Sequence, residues 1–192
     1  MRSVTYAMNI SLDGYIVGPD GGFDWSEPDE TVFRFWIEET RQLGVHLLGR
    51  RLYETMLYWE TAAEDPPQDE ATRAWISVWN PLPKVVFSRT LSEVRGAARL
   101  ASGGLAEEIA RLRAEPGEGD IAIGGADLAA QAAELGLIDE YRAVVYPVLV
   151  GGGRPFFPQH ERRVDLELVE TRTFSSKFLY VRHRVTRGGV GA

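Results

Sequence analysis

Three short runs in this 192-residue chain carry residues suited to holding a phosphorylated ligand: Gly49-Arg50-Arg51, Ser88-Arg89-Thr90 and Gly124-Gly125-Ala126-Asp127-Leu128. Glycine at 124 and 125 leaves bare backbone that can approach a pyrophosphate, and a helix opening directly after the pair points its unpaired amides at the anion. The same pair also reads as a plain strand-to-helix turn, with the anionic Asp127 as its N-cap. Arg50 and Arg51 are harder to account for as structure. Cations at the start of a helix face the positive end of its dipole, at a cost of roughly 0.3 to 1 kcal/mol. An anion nearby reverses that sign. With Arg89 they form a cation set suited to the 2′-phosphate of NADPH, whereas selection of NADH calls for an acidic residue at the ribose. Solvated surface arginines are the competing explanation.

Such runs act together only if the fold brings them to one place, and the hydrophobic pattern predicts how it does so. Residues 3 to 10 alternate as a first strand, and Ser11-Leu12-Asp13-Gly14 with Gly18-Pro19-Asp20-Gly21-Gly22 opens a long loop containing Trp25, a lid candidate. Val32, Phe33, Trp36, Ile37, Thr40 and Leu43 recur at helical spacing, ahead of a second strand, Val45 to Leu48. Helices follow from Arg50 to Leu57 and from Glu70 to Val78, separated by Asp65-Pro66-Pro67, and a third strand runs from Lys84 to Ser88. Leu105, Ile109 and Leu112 stripe another helix before the strand Asp120 to Ile123. The helix after Gly125 ends at Gly136, and Tyr141 to Val150 forms a long apolar strand. Val164 to Phe174 and Phe178 to Val185 close the sheet as antiparallel strands.

Strand–helix–strand units followed by a hairpin predict an α/β fold of three αβα layers, a mostly parallel sheet with antiparallel edge strands. One domain over 1–187, with a Gly-rich tail at 188–192, fits the length. In such sheets ligands bind beyond the carboxyl ends of the strands, where all three runs fall.

Composition narrows the chemistry further. A net charge of −7 gives no field for nucleic acid or anionic lipid, so any phosphate must be held locally. The absence of cysteine removes disulfides and thiolate chemistry, and fits a cytoplasmic protein. Met1 leads straight into an alternating run rather than a basic segment and apolar block, and no stretch is long enough to span a bilayer; neither export nor a membrane is expected. His46, His160 and His183 are scattered without metal spacing, and His46, inside an apolar strand, reads as a hydrogen-bonded structural histidine. A G-x-G-x-x-G fingerprint after the first strand, a P-loop and a G-x-S-x-G elbow are all missing.

The motifs Ser11-Leu12-Asp13-Gly14-Tyr15-Ile16, Gly49-Arg50-Arg51-Leu52-Tyr53-Glu54, Val85-Val86-Phe87-Ser88-Arg89 and Ile123-Gly124-Gly125-Ala126-Asp127-Leu128 occur in one order along nearly the whole chain. In this the sequence resembles the dihydrofolate-reductase-like family, which includes the reductase domain of bifunctional riboflavin-biosynthesis proteins. The run from Leu135 to Tyr141 and Pro147-Val148-Leu149-Val150-Gly151 is similar to the riboflavin-type branch in particular. The resemblance implies hydride transfer from NADPH to a C=N or C=O bond of a heterocyclic small molecule. It places Ala7 near the nicotinamide, Gly49, Arg50 and Arg51 near the 2′-phosphate and pyrophosphate, Gly124 to Leu128 on the pyrophosphate, and Ser88 and Arg89 beside the adenosine. It also hints at a homodimer, with the long edge formed by Tyr141 to Val150 and the closing strands as the contact.

The sequence departs from the family at two places. Phe33 and Trp36 stand where dihydrofolate reductases carry a pterin-binding carboxylate, and Ile123 stands where riboflavin-pathway reductases often carry a substrate-binding glutamate. The leading expectation is 5-amino-6-(5-phosphoribosylamino)uracil reductase-like activity. The alternatives are a dihydrofolate-like or general imine/carbonyl reductase and a non-catalytic NADPH-binding regulatory module. Asp13, at the exit of the first strand, is the first candidate for handling a proton or orienting substrate, and Asp24 the second; an Asp-Gly turn explains Asp13 equally well. Trp25, Phe33 and Trp36 are candidates to wall an apolar slot for a flat ring, with core packing as the alternative.

Overall fold

The computed structural model describes residues 1–62, 69–157 and 162–187. The tail 188–192, His160 and the Asp65-Pro66-Pro67 connection lie outside the described residues. In chain order the elements are β1 (Val4–Ser11), β2 (Tyr15–Val17), a 3-10 turn (Asp24–Ser26), α1 (Glu30–Arg41), β3 (Leu43–Gly49), α2 (Arg50–Met56), α3 (Tyr58–Ala62) and α4 (Glu70–Trp79). They continue as β4 (Lys84–Phe87), β5 (Ala98–Leu100), α5 (Leu105–Ala114), β6 (Asp120–Gly124), α6 (Ala126–Glu134), β7 (Glu140–Tyr146), β8 (Arg154–Pro155), β9 (Leu166–Thr173) and β10 (Leu179–Val185).

Eight strands form one sheet in the order β5-β4-β3-β6-β1-β7-β10-β9. The first six are mutually parallel and β10 and β9 run antiparallel. The chain steps outward from β1 to β3, β4 and β5. It then returns to lay β6 between β3 and β1, and β7 on the other side of β1. That reversal opens a crevice at the carboxyl ends of β3, β6 and β1, because the connections leaving them diverge to opposite faces.

Strand alternation builds the three layers. Val4, Tyr6, Leu47, Ile121 and Ile123 point to the face covered by α5 and α6, where Ile109, Leu112, Leu128 and Ala132 meet them. Val144, Tyr146 and Tyr180 point the other way, under Val32, Phe35 and Trp36 of α1, and Leu48 and Val86 pack beneath Tyr53 and Trp79 on that same side. Helix ends are set by local chemistry. Asp29 caps α1 by accepting from the Val32 amide at 2.8 Å. Gly136, at φ +66, closes α6 as expected, with the Leu137 amide on the Ala132 carbonyl (2.8 Å) and the Gly136 amide on Ala133 (3.0 Å).

The sheet carries two departures from the sequence pattern. The strand predicted over Tyr141–Val150 stops at Tyr146. Pro147 has no N–H to continue the ladder, and the Val148 amide turns back to the Tyr146 carbonyl at 2.8 Å. The short α3, β5 and the separate antiparallel pair β2–β8 lie where no element was predicted, β5 being three residues held beside β4 by parallel pairing.

Candidate functional site

Parallel register brings the three phosphate-type runs to one edge. Leu48 pairs with Gly124 on one side and Val86 on the other, so Gly49, Gly125 and Phe87 leave the sheet side by side. Tyr6 pairs with Ile123, which puts Ala7 level with Gly124 in the next strand. Ala7 is half-buried and points toward the α1 side, as do Thr5 and Asn9. A strip of small residues, Ala7 beside Gly124, therefore floors the crevice.

The two glycines are there for different reasons. A Cβ at Gly124 would stand 2.7 Å from Leu52 Cδ2 and 2.8 Å from both His46 Nε2 and Leu48 Cδ2, so packing alone excludes a side chain. Gly125 has room for a Cβ, with only Leu52 Cβ at 3.8 Å, but adopts φ +95 as the N-cap of α6. The cap is thus Gly125, and Asp127 is not the N-cap that the plain-turn reading gave it. Asp127 lies in the first turn of α6 and pairs with Arg154 of β8. The pair offsets its charge although the carboxylate stays 67% exposed, and the first amides of α6 have no side-chain cap. Arg154 was missed in the sequence; three glycines before it, Gly151 to Gly153, all with positive φ, were the signal of a backbone folded tightly toward the site.

The cations here are little committed. Arg50 approaches Glu54 loosely at 3.7 Å across one helical turn. Arg51 and Arg89 are exposed and pair with no carboxylate among the described residues. The Ser88 hydroxyl is occupied within its own turn, accepting from the Thr90 and Leu91 amides at 3.1 and 3.0 Å.

Asp13 reaches across the exit of β1 and accepts from the Gly151 amide at 2.8 Å and the Val150 amide at 3.2 Å. The Ser11 hydroxyl, followed by those amides, holds its carboxyl below the usual aspartate range, so it stays ionised at neutral pH. It ties the Leu12–Gly14 turn to the glycine loop. Asp24 is exposed in the 3-10 turn.

Of the three aromatic candidates, Trp25 and Trp36 share one cluster with Tyr146 and Phe178. Phe33 turns away, its ring 5.8 Å from that of Trp75 in α4, so it does not wall the same slot. Trp36 donates its indole N–H to Asn9 Oδ1 at 2.8 Å, and Asn9 Nδ2 donates to the Ser26 carbonyl at 3.1 Å. Asn9 was not singled out in the sequence. Its signal is an amide on the helix-facing side of a strand whose other residues there, Thr5, Ala7 and Ser11, are small.

His46 is half-buried, edge-on to Trp79 at 5.3 Å, and its enclosed Nδ1 has no partner among the described residues, so packing holds it there rather than the hydrogen bond expected. Burial, with the Lys84 charge adding, pushes its pKa down to about 3, and the ring is neutral. Lys84 closes the end of α4 by donating to the carbonyls of Trp79 (2.6 Å), Leu82 (2.9 Å) and Asn80 (3.2 Å). Among the described residues no group of His, Asp and Glu is arranged to hold a metal ion, and no helix is long and apolar enough to cross a membrane.

This sheet, with its crevice at the strand exits, defines a protein of the riboflavin-biosynthesis reductase type: the RibD C-terminal domain pattern matches residues 2–180, and the chain belongs to that family. Among its relatives, the uncharacterized protein YyaP of Bacillus subtilis (strain 168) is 34% identical over 177 residues, 91% of this chain and 90% of that protein. A candidate riboflavin biosynthesis protein from Shewanella sp. PV-4 superimposes with a TM-score of 0.74 at 23% identity, covering 96% of this chain and 99% of that one. The diaminohydroxyphosphoribosylaminopyrimidine deaminase/5-amino-6-(5-phosphoribosylamino)uracil reductase of Thermotoga maritima matches with a TM-score of 0.63 at 17% identity; the alignment covers 96% of this chain and 57% of the bifunctional enzyme.

Proposed function

We propose that this protein is an NADPH-dependent reductase that transfers hydride to a C=N or C=O bond of a small heterocycle related to riboflavin precursors. The observation that carries the reading is the convergence of Gly49-Arg50-Arg51, Ser88-Arg89 and Gly124-Gly125 at neighbouring strand exits, with Arg51 and Arg89 unpaired among the described residues. The fit to a dinucleotide is chemical: glycines bare the start of α6, Arg154 pairs with the carboxylate in its first turn, and Arg51 and Arg89 keep guanidiniums that no carboxylate among the described residues takes up. Gly124, Gly125 and the α6 amides would hold the pyrophosphate, Arg50 and Arg51 the 2′-phosphate, and Ser88 and Arg89 the adenosine side. The coenzyme, when bound, supplies the hydride. Ala7 and Gly124 leave room for a flat ring, Asp13 fixes the turn beside it as an anion rather than as a proton donor, and Asp24 on the covering turn is the carboxylate left to manage a proton.

Replacing Arg50 and Arg51 together by alanine tests the assignment. Each charged hydrogen bond lost is worth about 1.5–3 kcal/mol, so calorimetric affinity for NADPH should fall at least tenfold with NADH unchanged. Equal NADPH binding by parent and variant would remove the basis for the cofactor reading. Loss of NADPH absorbance with a panel of pyrimidine and pterin acceptors then separates a reductase from a module that binds the coenzyme without turnover.

A second copy of the chain is the partner we infer, and β9–β10 offers the surface. Every charged side chain of the hairpin strands lies on the α1 side, following Arg182 and its pairing with Glu140. Leu166, Leu168, Thr171, Thr173 and Leu179 occupy the opposite side, where Leu168 is 56% exposed. An uncharged face meets its own copy without repulsion. Sedimentation should give twice the 21.4 kDa chain mass, and Leu168→Arg should give the monomer.

A further inference from the structure

Among the described residues seven buried side-chain polar atoms have no hydrogen-bond partner, and two of them meet at the carboxyl end of the sheet. Trp25 Nε1 and Tyr146 Oη are both sealed from solvent and make no hydrogen bond. Their rings meet edge-on, with centroids 6.2 Å apart. Folded chains satisfy nearly all such groups, because a bare one forfeits its hydration. Tyr146 ends β7 level with Ser11 of β1, and Trp25 belongs to the turn that packs on β1 beside Asn9. Both sit in the apolar cluster under α1.

We propose that Trp25 Nε1 and Tyr146 Oη are the donors that hold the carbonyl edge of the substrate ring, under a lid formed by the Asp24–Ser26 turn. The proposal rests on the reductase reading for the reaction, not for the site. Both groups offer a proton: the indole can only donate, and burial, with the Asp29 charge adding, pushes the tyrosine well above its ordinary value, so its hydroxyl keeps its hydrogen. The carboxylate that an amino-substituted ring edge would need is already engaged here: Asp29 Oδ1 accepts from the Val32 amide, and the Ser176 hydroxyl is foremost among the groups that keep it ionised. The pocket is therefore matched to acceptor atoms, C=O or ring N, rather than to an amidine edge.

The lid reading follows from how the turn is fastened. One side-chain bond ties it to the sheet, from Asn9 Nδ2 to the Ser26 carbonyl, and Asn9 is itself aligned by the Trp36 indole. On its amino side Gly21, at φ +83, and Gly22 close a tight loop on Gly18. Breaking one hydrogen bond and rotating at this glycine pair lifts Trp25 away from Tyr146 and uncovers both donors.

The test uses uracil and 2,4-diaminopyrimidine, rings of one shape with opposite edges, added to the NADPH-saturated chain. The Trp25 indole N–H resonance, assigned with Trp25→Phe, should shift with uracil and not with the diamine. Tyr146→Phe should weaken uracil at least tenfold, leave NADPH affinity unchanged and leave the melting temperature equal or higher, because only an unpartnered hydroxyl is removed. Tighter binding of the diamine, an indole signal indifferent to both rings, or a clear loss of stability in Tyr146→Phe would overturn the proposal. The last result would mean that an internal water already satisfies the hydroxyl. If NADPH fails to bind while uracil still moves the Trp25 signal, the reductase reading falls and this site stands.

Discussion

The two ends of the sheet treat their charges in opposite ways. At the amino end, Arg142 is buried and fully paired: Nη1 donates to Glu39 at 3.0 Å, and Nη2 to Asp120 and Glu140 at 2.8 Å each. Arg182 shares Glu140 at 2.8 Å, while Asp139 takes Arg113 at 2.6 Å, Arg187 at 2.7 Å and the Val4 amide at 2.8 Å. At the carboxyl end, among the described residues, Arg51 and Arg89 pair with no carboxylate, Trp25 Nε1 and Tyr146 Oη make no hydrogen bond, and Gly125 holds a backbone conformation that side chains avoid. At the amino end the chain supplies partners for its buried charges. The carboxyl end lacks the groups that would complete it, and a ligand is the economical source of them.

Breaking the closed end should have the largest effect on stability. Arg142→Met leaves Glu39, Asp120 and Glu140 facing one another around an apolar side chain, with Glu140 only 4% exposed. Removing one partner of such a buried network costs about 3–5 kcal/mol, which urea unfolding should register, while the folded variant keeps the parent's NADPH affinity. A loss under about 1 kcal/mol, the range of exposed pairs, would mean that solvent already screens the network.

His46 lies between the two ends, without a partner and therefore neutral. Its folded pKa of about 3 is below the ordinary 6.5, so between these values the unfolded chain binds the extra proton and stability drops as pH falls. At roughly 1.4 kcal/mol per unit, this amounts to about 3 kcal/mol by pH 4.5. His46→Gln should flatten the acid limb of a stability-against-pH curve by about that amount. Glu108, held near 2 chiefly by its bond to Arg99, acts in the same direction but only at lower pH, so it leaves the window open.

Much of this contrast was legible in the sequence. Period-two and helical apolar patterns placed β1, β3, β4, β6, α1, α5 and α6, and glycine and arginine at the exits marked the carboxyl end, since both residue types read locally. What was not legible depends on distance along the chain. Asn9 acquires its meaning from Trp36, Tyr146 from Trp25, and Arg154 from Asp127. Phe33 and Trp36 share a helix, and only the position of α4 sends Phe33 to Trp75. β5 is three residues whose strand state exists through pairing with β4, and the early stop of β7 reflects Pro147 overruling an apolar run.

The neighbouring glycines give a smaller and more selective break of the carboxyl end. Gly125→Ala puts a side chain at φ +95 with nothing closer than Leu52 Cβ at 3.8 Å, so its cost is backbone strain of about 1–3 kcal/mol. Gly124→Ala instead drives a methyl into Leu52, Leu48 and His46, and the cost depends on how far those side chains yield. Thermal melting should find both destabilised. Only Gly124→Ala should raise the pKa of His46 in titration by nuclear magnetic resonance, because only that methyl meets the ring, at Nε2, and displaces it from its packed position.

The smallest effect on stability is the most informative about function. Arg51→Ala and Arg89→Ala remove exposed cations that pair with no carboxylate among the described residues, so each should change unfolding free energy by no more than about 0.5 kcal/mol. If the carboxyl end is unfinished because a phosphate belongs there, the same variants should weaken NADPH severalfold. They should also lower the salt dependence of its binding, since each guanidinium contributes a screened attraction. Variants that alter neither stability nor coenzyme affinity would reduce these arginines to solvated surface charge, and the asymmetry of the sheet would then rest on Gly125, Trp25 and Tyr146 alone.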